Sequence, residues 1–430
     1  MRPLNFAKLN HILIPSTKTA RDRFREGAMG RAVAPLVAVF EALSDEGRLV
    51  AILSVLVAGF AIDVRHTELY LVWGALVALV VASLIVRRAY RIDDVHVEVV
   101  VPKRVTIGEE MRFAILLRND GTRDRYALRI RGPFLPWDGR WTGDRPRVRR
   151  LTAGAVARVE VGGRFVARGE HHLDSFRAAA LVPFGLALGR PVATTGCRFL
   201  VIPKIAKVER LRLPTGRRHQ PGGVALASRT GESMDLLGVR PYRVGDPVRD
   251  LHARSWARLG VPVVREYQEE YFSRIGVILD TDVTAAESAG AKHPERLLEG
   301  AISLAAGVVA HLSRGEALID LLVVGDRVHD LTLGRSLGFL EQALDLLACV
   351  EPGPRIAPDA LVARLATHLS RLSCVVVVSL ARDEGVLAER IRGHGVACTV
   401  IAVGDTSASS GPESKTVAVD AIERGEGLAL

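Results

Sequence analysis

The sequence predicts a multidomain protein made of a transmembrane helical hairpin, a β-sandwich and a doubly wound α/β domain. Three observations lead to this prediction. Two apolar runs lie near the N-terminus, apolar and polar residues alternate with period two from about residue 93, and uniformly apolar strands alternate with amphipathic helices from about residue 271. The chain has 430 residues, 48% of them hydrophobic, and can therefore build several cores.

The two apolar runs predict a membrane hairpin over residues 49–86. The second run, residues 69–86, is long enough to cross a bilayer, whereas the first, residues 49–62, would need local thinning of the bilayer or snorkelling of Arg48. A buried helical hairpin of a soluble protein is the alternative. Basic residues flank the pair on both sides, so the positive-inside rule places both of its ends in the cytoplasm.

The segment before the hairpin, residues 1–48, is expected to be basic and cytoplasmic. Its stretch AMGRAVAPLVAVFEAL is apolar and has a proline in the middle. This pattern fits either an interfacial helix on the inner leaflet or a frayed N-terminal tail.

Residues 93–204 are predicted to form the β-sandwich. Short alternating segments such as VHVEVVV, MRFAILLRN and ARVEVGGRFVA are separated by clusters of Gly, Pro, Asn and Asp. About one hundred residues with this spacing fit a two-sheet architecture, and CRFLVIPK is its expected last strand.

Residues 271–430 are predicted to form the α/β domain. SRIGVILD, ALIDLLVVG, CVVVVSL and ACTVIAVG are apolar strands, helices lie between them, and one helix is expected over Pro294–Leu312. Strands that are apolar throughout indicate a mostly parallel sheet covered by helices on both faces. A last short strand, TVAVDAI, is expected near the C-terminus.

Residues 205–270 are predicted to be a charged linker. It contains RPYRVGDPVRDLHARSWARLGVPVVREYQEE, in which arginines and carboxylates surround a single tryptophan. These charges either pair internally or present a charged face to a partner. Internal pairs are expected between Asp246 or Asp250 and one of Arg249, Arg254 and Arg258.

The sharpest candidate for a metal site is LDTDVT, at the end of the first α/β strand. Asp280, Asp282 and Thr284 would offer two carboxylates and a hydroxyl to a hard cation such as Mg²⁺ at the carboxyl edge of the sheet. A further carboxylate is not found where Leu380 ends a later strand, although Asp383 follows. The alternative is that these residues cap the turn that follows the strand.

Common catalytic and metal motifs are absent from the sequence. It contains no phosphate-binding Gly-x-x-x-x-Gly-Lys-Ser/Thr loop and no His-Glu-x-x-His helix. The four cysteines show no Cys-x-x-Cys spacing, which argues against a zinc site. His252 beside Asp250 lacks a nucleophile, and His171 and His172 point to opposite faces of one strand. We therefore expect a protein that is not an enzyme.

The order of these parts and three stretches resemble the bacterial membrane proteins that carry the domain of unknown function 58. ARGEHHLDSFRAAALVPFGLALGR is similar to the family's Arg-Gly strand and Asp-Pro-Phe-Gly turn, with Val182 in place of the aspartate. Residues 238–266 resemble its Arg-x-Tyr-x-x-Gly-Asp signature, although Ala253 stands where tryptophan is common. The α/β region resembles a von Willebrand factor A domain, whose metal motif Asp-x-Ser-x-Ser has Asp282 here in place of the first serine.

The resemblance marks one set of residues as the family signature and a partner surface. These are Arg240, Tyr242, Gly245, Asp246, Arg249, Asp250, His252, Arg254, Arg258, Arg265, Glu266 and Tyr267.

The resemblance implies a setting rather than a reaction. Members of the family are associated with MoxR-type AAA+ ATPases and are thought to help assemble or activate other protein complexes. It implies a two-pass protein of the bacterial inner membrane, with cytoplasmic soluble domains, that contacts an ATPase, a client complex and membrane lipids.

Two other classes of function remain open from the sequence. The net charge of +10 suits nucleic acid or anionic lipid. Few aromatic residues accompany the arginines, so no nucleic acid partner is expected. A metal-dependent hydrolase would rest on Asp280 and Asp282 alone.

Overall fold

The computed structural model describes most of the chain, in two compact units, Met1–Ile202 and Pro203–Leu430. The described residues are 22–23, 26–61, 67–213, 220–224, 236–267, 271–272, 274–288, 290–291, 293–315, 317–325, 328–333, 337–354, 358–380, 385–406, 408–409 and 414–430. The protein is therefore multidomain, as the sequence predicts.

Three helices open the first unit. They are α1 (Ala28–Ala42), α2 (Asp45–Ala61) and α3 (Thr67–Val86), and a 3₁₀ turn at Arg87–Ala89 extends the last one. Helices α2 and α3 contact each other, and we call them the helix pair. Among the described residues, one helical stretch, Glu68–Ala89, is long and apolar enough to cross a membrane, with a mean hydropathy of 2.6. Helix α2 has 17 residues.

The rest of the first unit consists of three sheets. Two have four strands each, in the orders β1-β3-β7-β5 and β10-β9-β4-β6, and the third has the order β2-β11-β8. Pairing is antiparallel except between β2 and β11. The strands are β1 (Val95–Val100), β2 (Arg104–Thr106), β3 (Glu110–Asn119), β4 (Arg125–Arg131), β5 (Gly139–Thr142), β6 (Arg147–Leu151), β7 (Val156–Phe165), β8 (Gly169–Leu173), β9 (Arg177–Ala180), β10 (Val192–Ala193) and β11 (Cys197–Ile202).

These sheets enclose one apolar core that is rich in aromatic rings. Phe113, Phe165, Phe176 and Phe199 are at most 3% exposed and belong to the same cluster. Trp141 packs edge-on against Phe113 at 5.6 Å between ring centroids. The alternating pattern of the sequence is explained by this core, because successive side chains of a strand point to opposite faces and one face of strands such as β7 packs against the core.

The second unit is built on a seven-stranded sheet of order β19-β18-β17-β20-β21-β23-β22. The five inner strands are parallel, and both edge strands are antiparallel to their neighbours. Its strands are β17 (Arg274–Asp280), β18 (Leu318–Val324), β19 (Val328–Leu333), β20 (Cys374–Ser379), β21 (Ala397–Gly404), β22 (Ala408–Ser409) and β23 (Ser414–Ala418). Its helices are α5 (Val283–Ser288), α6 (Pro294–Leu312), α7 (Leu337–Ala348), α8 (Pro358–Leu369), α9 (Gly385–Gly393) and α10 (Val419–Arg424).

Helices cover both faces of this sheet. Ile278 and Val400 pack with Ile391 of α9 in one apolar cluster. Val403, three residues after Val400, points to the other face, where it approaches α6: a Cβ on Gly300 would lie 3.2 Å from Val403 Cγ1. The mostly parallel sheet with helices on both faces agrees with the sequence prediction.

Two sequence predictions for the second unit need correction. The supposed linker over residues 205–270 contains strands β12 (Val208–Arg210), β13 (Gln220–Val224), β14 (Leu236–Pro241) and β15 (Val263–Tyr267) and helix α4 (Ala253–Leu259). Strand β13 pairs with β16 (Tyr271–Phe272), and β12 pairs with β24 (Leu428–Ala429), so backbone pairing orders this segment. The last predicted strand, TVAVDAI, is strand only to Ala418 and continues as α10.

Candidate functional site

The candidate partner surface folds as an antiparallel β-hairpin with a helical insertion. Strands β14 and β15 pair with Arg240 opposite Val264, and α4 lies in the connection between them. Val263 and Val264 are each 2% exposed, and the N–H of His252 donates to the carbonyl of Val263 at 2.9 Å. We call residues 236–267 the signature hairpin.

The turn of the signature hairpin is held by Asp246. The Arg240 guanidinium donates to both carboxylate oxygens of Asp246 at 2.7 Å, and the backbone N–H of Arg243 donates at 2.8 Å. Hydrogen bonds from Arg240 first, and from Arg243 next, lower the pKa of Asp246 to about 2. Gly245 has φ +108°, a conformation that glycine tolerates best.

The expected internal pairing therefore exists: Asp250 pairs with Arg249, as predicted, whereas Asp246 pairs with an arginine that the sequence did not suggest. Asp246 pairs with Arg240, not with the arginines that were named from the sequence, because the turn brings Asp246 back to the end of β14. The Asp250 carboxylate lies 3.9 Å from Arg249. The His252 ring contacts the Ser255 hydroxyl at 2.6 Å, so within the described residues it does not form an acid/base pair with Asp250.

The outer surface of the signature hairpin combines apolar and basic side chains. Val244 is fully exposed, Val248 is 71% exposed and Trp256 is 43% exposed. Leu259 and Val261 are exposed as well. The exposed arginines of the same segment are Arg243, Arg249, Arg254, Arg258 and Arg265. This surface can take a partner that has both apolar and acidic groups.

Three signature residues do not contribute to this exposed surface as described. Tyr242 is partly buried. Glu266 and Tyr267 continue strand β15, and their side chains lie outside the described residues. Sequence reasoning missed the exposed valines, although apolar residues between Gly, Asp and Pro in a charged segment were a usable signal.

The candidate metal residues lie together at the carboxyl end of β17, where they cap the next turn. The N–H of Asp282 donates to Asp280 Oδ1 at 3.1 Å. Asp282 Oδ1 accepts from both the N–H and the hydroxyl of Thr284, at 2.9 and 2.5 Å. These contacts are those of a cap on α5.

No group of three or more His, Cys, Asp or Glu placed to hold a metal ion occurs among the described residues. Leu380 is 5% exposed and supplies no oxygen ligand from its side chain, and Asp383 lies outside the described residues. Burial, more than the nearby Asp282 charge, raises the pKa of Asp280 to about 6. The carboxyl group is thus costly to ionise where it stands.

Together the folds and the signature hairpin define a multidomain chain with a helical N-terminus, a β-rich unit and an α/β unit. Residues 238–430 match the family model described as "Protein of unknown function DUF58", which supports the resemblance found from the sequence. The match begins inside the signature hairpin and ends at the last residue.

No curated protein matches the chain. Solved structures that resemble part of it include native alpha-2-macroglobulin from E. coli, with 13% identity and a TM-score of 0.21 over 31% of this chain and 8% of that one. Salmonella alpha-2-macroglobulin reacted with methylamine shows 17% identity and a TM-score of 0.21 over 31% and 9%. A CARDB domain from Pyrococcus furiosus shows 13% identity and a TM-score of 0.15 over 24% and 94%. The chain thus spans under a tenth of both macroglobulins.

Proposed function

We propose that this protein is a membrane-anchored, non-catalytic adaptor or assembly factor that presents the signature hairpin to a MoxR-type AAA+ ATPase and its client complex. The helix pair would cross the bacterial inner membrane twice, with both soluble units in the cytoplasm. The α/β unit would be of the von Willebrand A type. Its parallel sheet and the match over residues 238–430 support that assignment.

One observation carries the proposal. The signature hairpin is held together by backbone pairing, by buried Val263 and Val264 and by the pair of Arg240 with Asp246. Val244, Val248 and Trp256 of the same hairpin expose apolar surface to solvent, with exposed arginines around them. Tryptophan and arginine are the residue types that contribute most to protein–protein binding.

The alternative of a metal-dependent hydrolase receives less support. Asp282 Oδ1 already accepts two hydrogen bonds from Thr284, which favours a cap over a Mg²⁺ ligand. The proposal therefore assigns Asp280 and Asp282 a structural role.

The proposal is tested by measuring binding of the full-length protein, in lipid nanodiscs, to a MoxR-type ATPase of the same organism. Trp256→Ser should weaken binding by about tenfold or more, as expected for a tryptophan at the centre of an interface. Tyr126→Ser is the matched control, because Tyr126 is a 57% exposed aromatic residue in the other unit. Equal affinities for both variants and the unchanged protein would contradict the proposal.

A further inference from the structure

A loop of the first unit is bonded to the junction between α1 and α2. We call residues 183–190 the PFG loop. The N–H of Ser44 donates to the carbonyl of Leu186 at 2.9 Å, and the Ser44 hydroxyl donates to the carbonyl of Gly185 at 2.5 Å. The N–H of Leu188 donates to the carbonyl of Ala42 at 2.8 Å. The PFG loop is therefore fixed where the first helix of the pair begins.

The same loop also reaches the other end of the helix pair. Arg87 Nε donates to the carbonyl of Leu188 at 3.1 Å, and the N–H of Arg190 donates to the carbonyl of Tyr90 at 3.1 Å. The PFG loop thus joins the start of α2 to the end of α3. If the helix pair enters a bilayer, this loop lies at the level where it does so.

Phe184, inside this loop, has an unusual backbone and an exposed ring. Its φ is +68°, a left-handed conformation that costs a side chain other than Gly, Asn or Asp about 1 kcal/mol or more. Its side chain is 79% exposed, so packing within the unit does not offset that cost. Strain that folding does not explain is a reason to look for a function.

Helix α1, which ends at the PFG loop, has an exposed apolar surface. Arg31 and Glu41 are its only charged residues, while Leu36 is 71% and Phe40 49% exposed. Its 15 residues span about 22 Å, less than the roughly 30 Å of a bilayer core. A short apolar helix of this kind suits the membrane interface rather than a crossing.

The apolar surface of α1 continues onto α2. A groove of about 260 Å³ lies between the two helices, and the Arg48 guanidinium stands 4.2 Å over the Phe40 ring at its edge. The groove is lined by Phe40, Arg48, Ala51, Ile52, Val55 and Leu56. Lipid or protein that covers the exposed apolar side chains of α2 would therefore also cover those of α1.

We propose that Phe184 and the apolar side chains of α1 enter the boundary between headgroups and acyl chains at the leaflet where the helix pair begins. The first unit would then contact the bilayer through Phe184 and α1 in addition to the helix pair. The occupant is lipid rather than protein, because exposed Arg88, Arg91 and Arg190 beside the same helix ends suit phosphate headgroups. This inference rests on the membrane anchoring in the proposed function.

The test measures the depth of spin labels on the full-length protein in vesicles of phosphatidylethanolamine and phosphatidylglycerol. Labels are placed by Phe184→Cys and Val37→Cys, in a Cys349→Ser background because Cys349 is exposed. Val81→Cys in α3 reports the helix pair, and Val156→Cys, at a 60% exposed site in β7, is the aqueous control. Collision rates with oxygen, which concentrates in lipid, are compared with those of a nickel chelate, which stays in water.

We expect the ratio of oxygen to nickel collisions at residues 184 and 37 to exceed that at residue 156 by about threefold or more. Val37→Cys leaves Phe184 unchanged. The measurement at residue 37 therefore still tests the inference if Phe184→Cys fails to fold. Aqueous labels at 184 and 37 with a lipid-exposed label at 81 would overturn this inference alone. An aqueous label at 81 would overturn the anchoring as well. A label at 184 shielded from both reagents would show that residue 184 is buried against protein, within this chain or a second copy, and would overturn the inference.

Discussion

Two aspartates at the candidate sites experience opposite electrostatic surroundings. Asp246 is favoured in its charged form by the Arg240 guanidinium, and its contribution to stability is lost only as the pH falls from about 4 towards its folded pKa of about 2. Asp280 is disfavoured in its charged form because it is buried. The signature turn is therefore expected to keep its ion pair throughout the neutral range, whereas the end of β17 is electrostatically strained there.

Replacement of Asp280 should reveal this strain. Its pKa rises from 3.8 to about 6 on folding, so the folded state binds the proton more tightly and loses stability as the pH rises through that interval. Asp280→Asn cannot ionise, and its amide oxygen can still accept from the N–H of Asp282. We expect the variant to raise the free energy of unfolding by about 1–3 kcal/mol near pH 7 and by almost nothing near pH 4.

Thermal unfolding of the full-length protein in nanodiscs at both pH values measures this difference. Asp405→Asn, at an exposed carboxylate of the same unit, controls for the loss of one charge. A loss of stability for Asp280→Asn near pH 7 that appears only when Mg²⁺ is added would show that the cap assignment is wrong.

The individual helices and strands differ in how far the sequence predicts them. The helix over Pro294–Leu312 was predicted with the bounds that the structure gives, because Pro294 starts a long run of helical periodicity. The sequence does not predict the edge strand β19, since VHDLTL has two adjacent polar residues within a domain of uniformly apolar strands. The sequence of strands β14 and β15 predicts a linker, because their arginine, glycine and proline residues interrupt the apolar pattern of a strand.

The attachment of the PFG loop is of a kind that sequence patterns cannot show. It is made mostly by backbone groups of Ala42, Ser44, Leu186 and Leu188, and backbone hydrogen bonds leave no side-chain signature. One trace in the sequence is Gly47. A Cβ at this position would lie 1.8 Å from the carbonyl oxygen of Leu186, so only glycine allows the loop to approach α2.

Two glycines of α2 provide a matched test of this contact. Gly47→Ala should destabilise the first unit because the added methyl group pushes the PFG loop away from α2. Gly59→Ala, whose added Cβ would meet nothing within 4 Å beyond its chain neighbours and the backbone of its own helix, should leave stability unchanged or raise it by about 0.5–1 kcal/mol through helix propensity. Limited proteolysis of the full-length protein should cut residues 183–190 at least severalfold faster in Gly47→Ala only. Equal cleavage of both variants would mean that the loop does not depend on this contact.

The whole molecule is predicted to carry both soluble units on one side of a membrane. Placing them in the cytoplasm together with the N-terminus requires an even number of crossings before residue 93, and it therefore depends on α2. Helix α3 reaches the length and hydropathy of a span, but α2 has 17 residues and needs a thinned bilayer or a snorkelling Arg48. Two crossings place both termini in the cytoplasm, and one crossing places them on opposite sides.

Reporters at both termini distinguish these two cases. Arg87, Arg88 and Arg91 follow α3, whereas the connection between the helices carries a single basic residue, Arg65, apart from His66. The positive-inside rule therefore predicts that a fluorescent protein fused after Leu430, and one fused before Met1, both fluoresce in the cytoplasm. An alkaline phosphatase fused after Leu430 should be inactive, because that enzyme matures only outside the inner membrane.

Fusion of the phosphatase after His66 is the internal control, since it ends the chain between the two crossings and should be active. An active phosphatase after Leu430 together with a fluorescent N-terminus would indicate a single crossing and would remove the cytoplasmic placement of the signature hairpin on which binding to an AAA+ ATPase depends.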